Sequence, residues 1–142
     1  MTTHFESLVN NIQKRFEAFD EFPIVWDNAP DPRLEADADS GVNPLRTWIR
    51  LTVLVGEANQ TQLGTVKVFR TVGVMTAQIF TILGIGNAEG YQIADRIADL
   101  FRSVSADGVV YRTPTVQNIG RTNDWWQINV SCPFYSDLTI EE

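Results

Sequence analysis

The sequence is short of the residues from which disulfide frameworks and metal centres are built. Among its 142 residues there is one cysteine, Cys132, and one histidine, His4. A single thiol excludes an internal disulfide, and the two side chains together are too few for a multi-cysteine or histidine-rich metal site. Cys132 alternates with apolar residues in a strand pattern, which indicates a buried and inert thiol. We therefore expect no metal and no cofactor.

Positive charge and long apolar runs are also scarce. Eleven basic residues stand against 18 acidic residues, and the net charge is −7. A protein that wraps nucleic acid needs a basic surface, so that class is excluded. The strongest apolar stretch, 79–85, is interrupted by Thr81 and Gly84 and falls short of the roughly 20 residues of a membrane span. With no signal-peptide pattern in its first residues, the chain is expected to be soluble, without membrane contact.

Two segments have the apolar spacing of amphipathic helices. The first follows a capping-box pattern at residues 3–6 and is predicted to end near Asp20, before Pro23. The second is predicted over residues 88–102, with Asn87 as its N-cap. Each has one apolar stripe, which predicts that each covers another layer of the fold.

The remaining pattern predicts strands. Period-two alternation marks residues 47–56, 64–73, 74–83, 109–113, 115–119 and 125–134, with a polar connection at 57–61. The element order predicts an α+β fold, with one mostly antiparallel or mixed sheet packed against two main helices. The length predicts a single domain over 1–142, with a long, mobile acidic loop at 27–44 and a frayed C-terminal tail at 136–142.

One glycine-rich turn has the pattern of a ligand site. Residues 84–90 match G-x-G-x-x-x-G between a strand and a helix, a setting that favours a pyrophosphate on the helix N-terminus. That interpretation makes the chain a small nucleotide-binding enzyme. The strand is part of a meander, however, and Glu89 brings a negative charge, so a tight turn with positive-φ glycines is the alternative. No catalytic residue is predicted. No calcium loop is predicted either, because residues 35–46 lack the glutamate that such a loop needs.

The four tryptophans are the most informative residues. Trp48 and Trp125 fall on the more polar faces of their strands, with Arg50 and Arg121 nearby. Exposed tryptophan beside arginine is typical of protein interfaces. The alternative, that helices cover both sheet faces and bury all four tryptophans, stays open.

Several segments resemble one family. Phe22-Pro23-Ile24-Val25-Trp26-Asp27-Asn28 followed by Trp48-Ile49-Arg50-Leu51, the 84–86 turn leading into 93–101, and the hairpin over 119–134 are similar to tail terminator proteins of long-tailed (siphovirus-like) bacteriophages. The resemblance implies a structural virion protein and no enzyme. It implies a ring, usually of six subunits, on the head-proximal end of the tail tube, which stops tube growth and offers a head-joining surface.

The partners implied by this resemblance are further copies of the chain, the tail tube protein and a head completion (stopper) protein. DNA is implied only as cargo passing through the channel. The protein would be located in the virion tail or neck, and in the host cytoplasm during assembly. Another neck or head–tail joining protein is the alternative. The residues that we expect at interfaces are Asp27, Asn28, Arg33, Asp37, Asp39, Trp48, Arg50, Arg121 and Trp125.

Overall fold

The computed structural model describes residues 4–19, 22–29, 47–62, 64–106 and 108–141. These residues form two helices, α1 (His4–Phe16) and α2 (Ala88–Phe101). The strands are β1 (Ile24–Trp26), β2 (Trp48–Gln62), β3 (Val66–Ile82), β4 (Ser105–Ala106), β5 (Val109–Tyr111), β6 (Thr115–Thr122) and β7 (Trp125–Glu141).

All seven strands belong to one sheet. Its order is β1-β2-β3-β7-β5-β4, and β6 pairs with β7 beside β5. The β1–β2 pair is parallel and the other pairs are antiparallel. The sheet is therefore mixed but mostly antiparallel and the fold is α+β, as predicted, and the sheet is the larger part of the fold.

The central strands are longer than the sequence pattern predicted. Residues 64–73 and 74–83 are not two strands, because β3 continues through Gly73. The predicted connection at 57–61 is likewise part of β2, which stays paired with β3 through two register shifts. At Gly73 a Cβ atom would lie 2.5 Å from the Leu54 carbonyl oxygen and 2.6 Å from Cζ of Phe134. Glycine is therefore required at this position by close packing, and it does not mark a turn.

The C-terminal part of β7 and the end of α1 also differ from the prediction. Residues 136–141, expected to fray, continue β7 and pair with Val66–Thr71 of β3. Arg70 holds this end, since its Nε and Nη2 donate to the two carboxylate oxygens of Asp137 at 2.8 and 3.0 Å. Helix α1 ends at Phe16, earlier than expected, and a following turn buries Phe19. Most of the acidic loop predicted at 27–44 lies outside the described residues.

One face of the sheet contributes to the main core. Buried side chains of both helices form a single cluster with inward-facing residues of β2, β3, β5 and β7. Its largest fully buried members include Phe16, Phe101, Phe134, Ile12, Ile49, Leu51, Met75, Ile79, Ile93, Ile97 and Ile128. The alternate residues of the same strands point the other way, and we call their side of the sheet the open face.

Candidate interface site

The middle of the open face is polar. It is built from hydroxyl and amide side chains in register across three strands: Thr52, Thr76, Gln78, Asn129 and Ser131. All five are partly exposed. The hydroxyls of Thr76 and Ser131 lie 3.4 Å apart, within hydrogen-bonding distance. These five side chains offer many hydrogen-bond donors and acceptors, and Arg50, opposite Gln78, adds a positive charge to the same row.

An aromatic cluster lies at one end of the open face, and we define it as Val25, Trp48, Phe80 and Trp125. The rings of Trp48 and Phe80, paired across β2 and β3, are stacked with centroids 4.1 Å apart and an interplanar angle of 12°. Trp125 meets Trp48 edge to face at 6.1 Å. Trp48 is only 5% exposed and Phe80 6%, and among the described residues these rings stack on and cover one another.

A depression of about 310 Å³ opens over this cluster. Its lining residues are Trp48, Arg50, Phe80, Thr122, Asn123 and Trp125. The Arg50 guanidinium carbon lies 5.6 Å from the centre of the Trp48 ring, a cation–π distance. Arg50 is exposed, so its charge faces solvent at the edge of an apolar floor. An aromatic floor with a guanidinium at its edge is typical of the energetic centre of a protein interface.

The β6–β7 turn forms the polar side of the depression. The Thr122 hydroxyl donates to Oε1 of Gln127 at 2.9 Å, and Nε2 of Gln127 donates to Oδ1 of Asn129 at 2.8 Å. At the tip, Asn123 takes a φ of 54°, and its carbonyl accepts from Nε of Arg121 at 3.2 Å. Asparagine tolerates this left-handed conformation, which explains why the tight turn forms here.

Four of the predicted interface residues thus meet at this end of the sheet. Trp48, Arg50 and Trp125 line the depression, and Arg121 bonds to the backbone of its rim. Asp27 lies on the neighbouring edge of β2, where its carboxylate accepts from the Thr52 hydroxyl and from the Val53 N–H, both at 3.3 Å. Whether any of them contacts a partner stays a prediction.

The other predicted residues are not part of this arrangement. Asn28 is exposed in the turn after β1, with a φ of 51°. Arg33, Asp37 and Asp39 lie outside the described residues. Sequence reasoning missed Phe80 and Val25, which complete the aromatic cluster. The alternation of β3 was the available signal, because it puts Phe80 on the face opposite Ile79 and level with Trp48.

The glycine-rich turn has the geometry of a turn. Gly84 and Gly86 have φ values of 88° and 86°, so the positive-φ interpretation is confirmed. A cavity of about 240 Å³ lies beside them, and its lining includes Trp126. Glu89 is held in the first turn of α2 by the Thr47 hydroxyl, which donates to its carboxylate at 3.2 Å. This negative charge opposes an anionic ligand at the N-terminus of α2.

In the described ranges, no cluster of three or more histidine, cysteine or acidic side chains has metal-binding geometry. Within the same ranges, no helix is long and apolar enough to span a membrane.

Comparison with known proteins assigns the chain to a family. A solved structure whose title states no function superposes with a TM-score of 0.65 at 16% identity, covering 99% of both chains, which shows a shared fold. Among curated proteins, none matches this sequence. The family model described as phage tail terminator protein matches residues 7–134, nearly the whole chain. The chain therefore belongs to a family of phage tail terminator proteins, which are structural proteins of the tail.

Proposed function

We propose that this protein forms a ring, of six copies, on the head-proximal end of the tail tube. There it stops tube polymerisation and presents the surface on which the head completion protein docks. The family match over residues 7–134 is the observation that carries this proposal. Its partners are further copies of itself and the tube protein, with DNA as cargo that passes through the channel. The role is mechanical and needs no catalytic group.

One surface feature and the amino-acid composition support a ring. A closed ring of identical subunits needs two different adhesive surfaces on each copy, because head-to-tail contacts join unlike patches. The depression over the aromatic cluster is one candidate surface, with Arg50 at its edge and Trp125 in its lining. The basic residues of the chain are mainly arginines, nine against two lysines, and arginine suits desolvated contacts better than lysine.

A deletion of the gene in its phage tests the proposal directly. Negative-stain electron microscopy of the lysate should show headless tubes of uncontrolled, excessive length. Tails of normal length that fail to join heads would instead indicate a joining protein of the neck. Intact, infectious particles would refute a role in tail assembly altogether.

Charge reversal locates the interface. Arg50→Glu and Arg121→Glu should each abolish capping of tails while the purified monomer keeps its circular dichroism spectrum. Arg102→Glu makes the same charge change at the C-terminal end of α2, where Arg102 is half exposed beside Asp99, and should leave capping intact. Normal tail length with both Arg50 and Arg121 variants would refute the assignment of this interface, but not the ring.

A further inference from the structure

Besides the outer edges of the short strands β1 and β4, the sheet has two longer open strand edges among the described residues. On one side β6 pairs only with β7, and each of its eight residues is at least partly exposed. On the other side β1 covers β2 at residues 49–51, and the Asp27 carboxylate accepts a hydrogen bond from the N–H of Val53. Beyond that point every residue of β2 from 54 to 62 is exposed. We call residues 54–62 the open stretch of β2.

The hydrogen bonds of β2 show which backbone groups point outward on that side. Ile49 donates its N–H to the Pro23 carbonyl at 3.0 Å, and Val53 donates to Asp27. Alternate residues of a strand point the same way, so the next outward N–H belongs to Val55. Val55 lies within the open stretch and is 38% exposed.

The same reasoning applies to β6. Arg112 donates its N–H to the Pro133 carbonyl at 2.7 Å, so the odd-numbered residues of β7 bond toward β5 and β6. Gln117 is opposite Asn129 and therefore bonds inward to β7. Its neighbour Val116 consequently directs its backbone N–H away from the sheet.

Neither edge is blocked by proline or lysine, and register shifts interrupt both, at 55–58 and 60–62 of β2 and at 118–120 of β6. Proline is absent from both stretches, and aliphatic side chains are exposed on both, with Leu54 at 60%, Val116 at 40% and Ile119 at 44%. Monomeric proteins normally block such edges with proline, lysine or inward charges. The only charged residues on the two stretches have opposite signs, Glu57 on β2 and Arg121 on β6. The edges are thus complementary to each other and not to themselves.

Resting on the ring proposed above, we propose that β6 of one copy pairs through its outer edge with the open stretch of β2 of the next copy. Neighbouring strands alternate in direction from β2 through β3 and β7 to β6, so β6 and β2 run antiparallel. Rotation about a ring axis preserves that direction, and the edges of adjacent copies therefore meet as an antiparallel pair. Each contact satisfies backbone groups on both copies, so the sheets join around the ring.

The register of the sheet sets the inclination of the strands. Val116 of β6 lies level with Leu51 of β2 in its own copy, four residues from Val55 in the open stretch. If Val116 pairs with Val55 of the next copy, the stagger is roughly 13 Å at about 3.3 Å per residue, across four strand spacings that total roughly 19 Å. The strands would lie at roughly 35° to the ring axis, within the 35–45° typical of closed barrels. A closed ring is therefore geometrically feasible.

Cysteine cross-linking of assembled tails tests this pairing. Two variants, Val55→Cys and Val116→Cys, are incorporated alone or mixed, and the tails are oxidised mildly and run on a non-reducing gel. The native Cys132 is fully buried and should not react. We expect a cross-linked dimer in the mixture and none with either variant alone. A dimer with Val116→Cys alone would mean that like edges pair and would overturn the proposal.

Proline at the outward position gives a second test. Val116→Pro removes the outward N–H, and proline is tolerated on a strand edge that does not bond through that group. We expect the variant to fold as a monomer but to leave tails over-long, whereas Val116→Ala keeps the N–H and should still cap them. If Val116→Pro caps tails and the mixture gives no dimer, the pairing is refuted while the terminator function stands. A gene deletion that leaves tail length normal would refute the function itself.

Discussion

Gly73 is the position at which one added methyl group should perturb the fold most. It lies in the interior of β3, between β2 and β7, where it faces Val55 and Phe134. In Gly73→Ala the new Cβ would approach the Leu54 carbonyl oxygen to 2.5 Å and Cζ of Phe134 to 2.6 Å. The first neighbour is backbone within a paired strand, and the second is a ring that is 1% exposed. Neither has room to retreat.

The expected cost follows from overpacking. Forcing a methyl group into a filled core typically costs about 1–3 kcal/mol. Replacing glycine also restricts the unfolded chain, which returns about 0.4–1 kcal/mol where the backbone is compatible. With two contacts below van der Waals distance we expect the upper part of the range, a net loss of about 2 kcal/mol. For a domain of this size that lowers the melting temperature by about 6–8 °C.

Thermal unfolding followed by circular dichroism measures the effect, and a double variant identifies its cause. Phe134→Leu removes Cζ and costs stability by itself, but it should relieve the ring contact. Gly73→Ala should therefore cost about 1 kcal/mol less in the Phe134→Leu background than in the wild type. A melting temperature for Gly73→Ala within 2 °C of the wild type would refute the packing argument. Strict additivity would leave the Leu54 carbonyl as the only cause.

Three further outcomes can be checked. Burial raises the pKa of Cys132 to about 11. At pH 8 a thiol reagent should therefore modify Cys132 far more slowly in the folded protein than in the unfolded protein. Equal rates would contradict the burial of this thiol. The hydrogen bonds from Arg70 hold the pKa of Asp137 below its usual range. The contribution of this pair to stability is therefore present at neutral pH and is lost as the pH falls through the lowered pKa. In Arg70→Gln, an NMR titration of the Asp137 carboxyl group should show that its pKa returns to the ordinary value. Gly90→Ala should destabilise less than Gly73→Ala, because the atom it meets is the flexible end of Ile128, and an equal loss in melting temperature would contradict this.

The elements that the sequence predicted well are those with one dominant local pattern. Helix α2 lies within one residue of its predicted end, because its apolar stripe is complete; it ends where Arg102 is extended and Ser103 takes a φ of 58°. The alternation of β7 was clear for the same reason. The division of β3 was wrong because Gly73 resembles a turn signal locally, whereas its cause is the distant ring of Phe134. A contact between strands far apart in sequence leaves no mark on a single segment.

The candidate site was predictable only in part. The alternation along each strand predicted that Trp48 and Trp125 lie on the more polar strand faces. The arginines near them in sequence predicted an interface. What the pattern did not contain is the register that stacks Phe80 on Trp48 and turns Trp125 against both. The sequence left two alternatives, exposed tryptophans at an interface or tryptophans buried under helices, and neither describes Trp48 fully. Trp48 is buried by aromatic neighbours in its own sheet, on a face where Arg50 stays exposed.

The distribution of charge is consistent with the proposed ring. Residues 47–136, which hold most of the sheet and α2, contain seven basic and six acidic residues, whereas the rest of the chain contains four basic and twelve acidic. Copies that meet through the nearly neutral part repel one another little, even though each copy has a net charge of −7. The acidic excess belongs to the first 46 residues and the last six, neither of which includes β6 or the open stretch of β2. Strand pairing between copies would therefore join two stretches with one acidic and one basic residue, Glu57 and Arg121, and ring formation should depend only weakly on salt concentration.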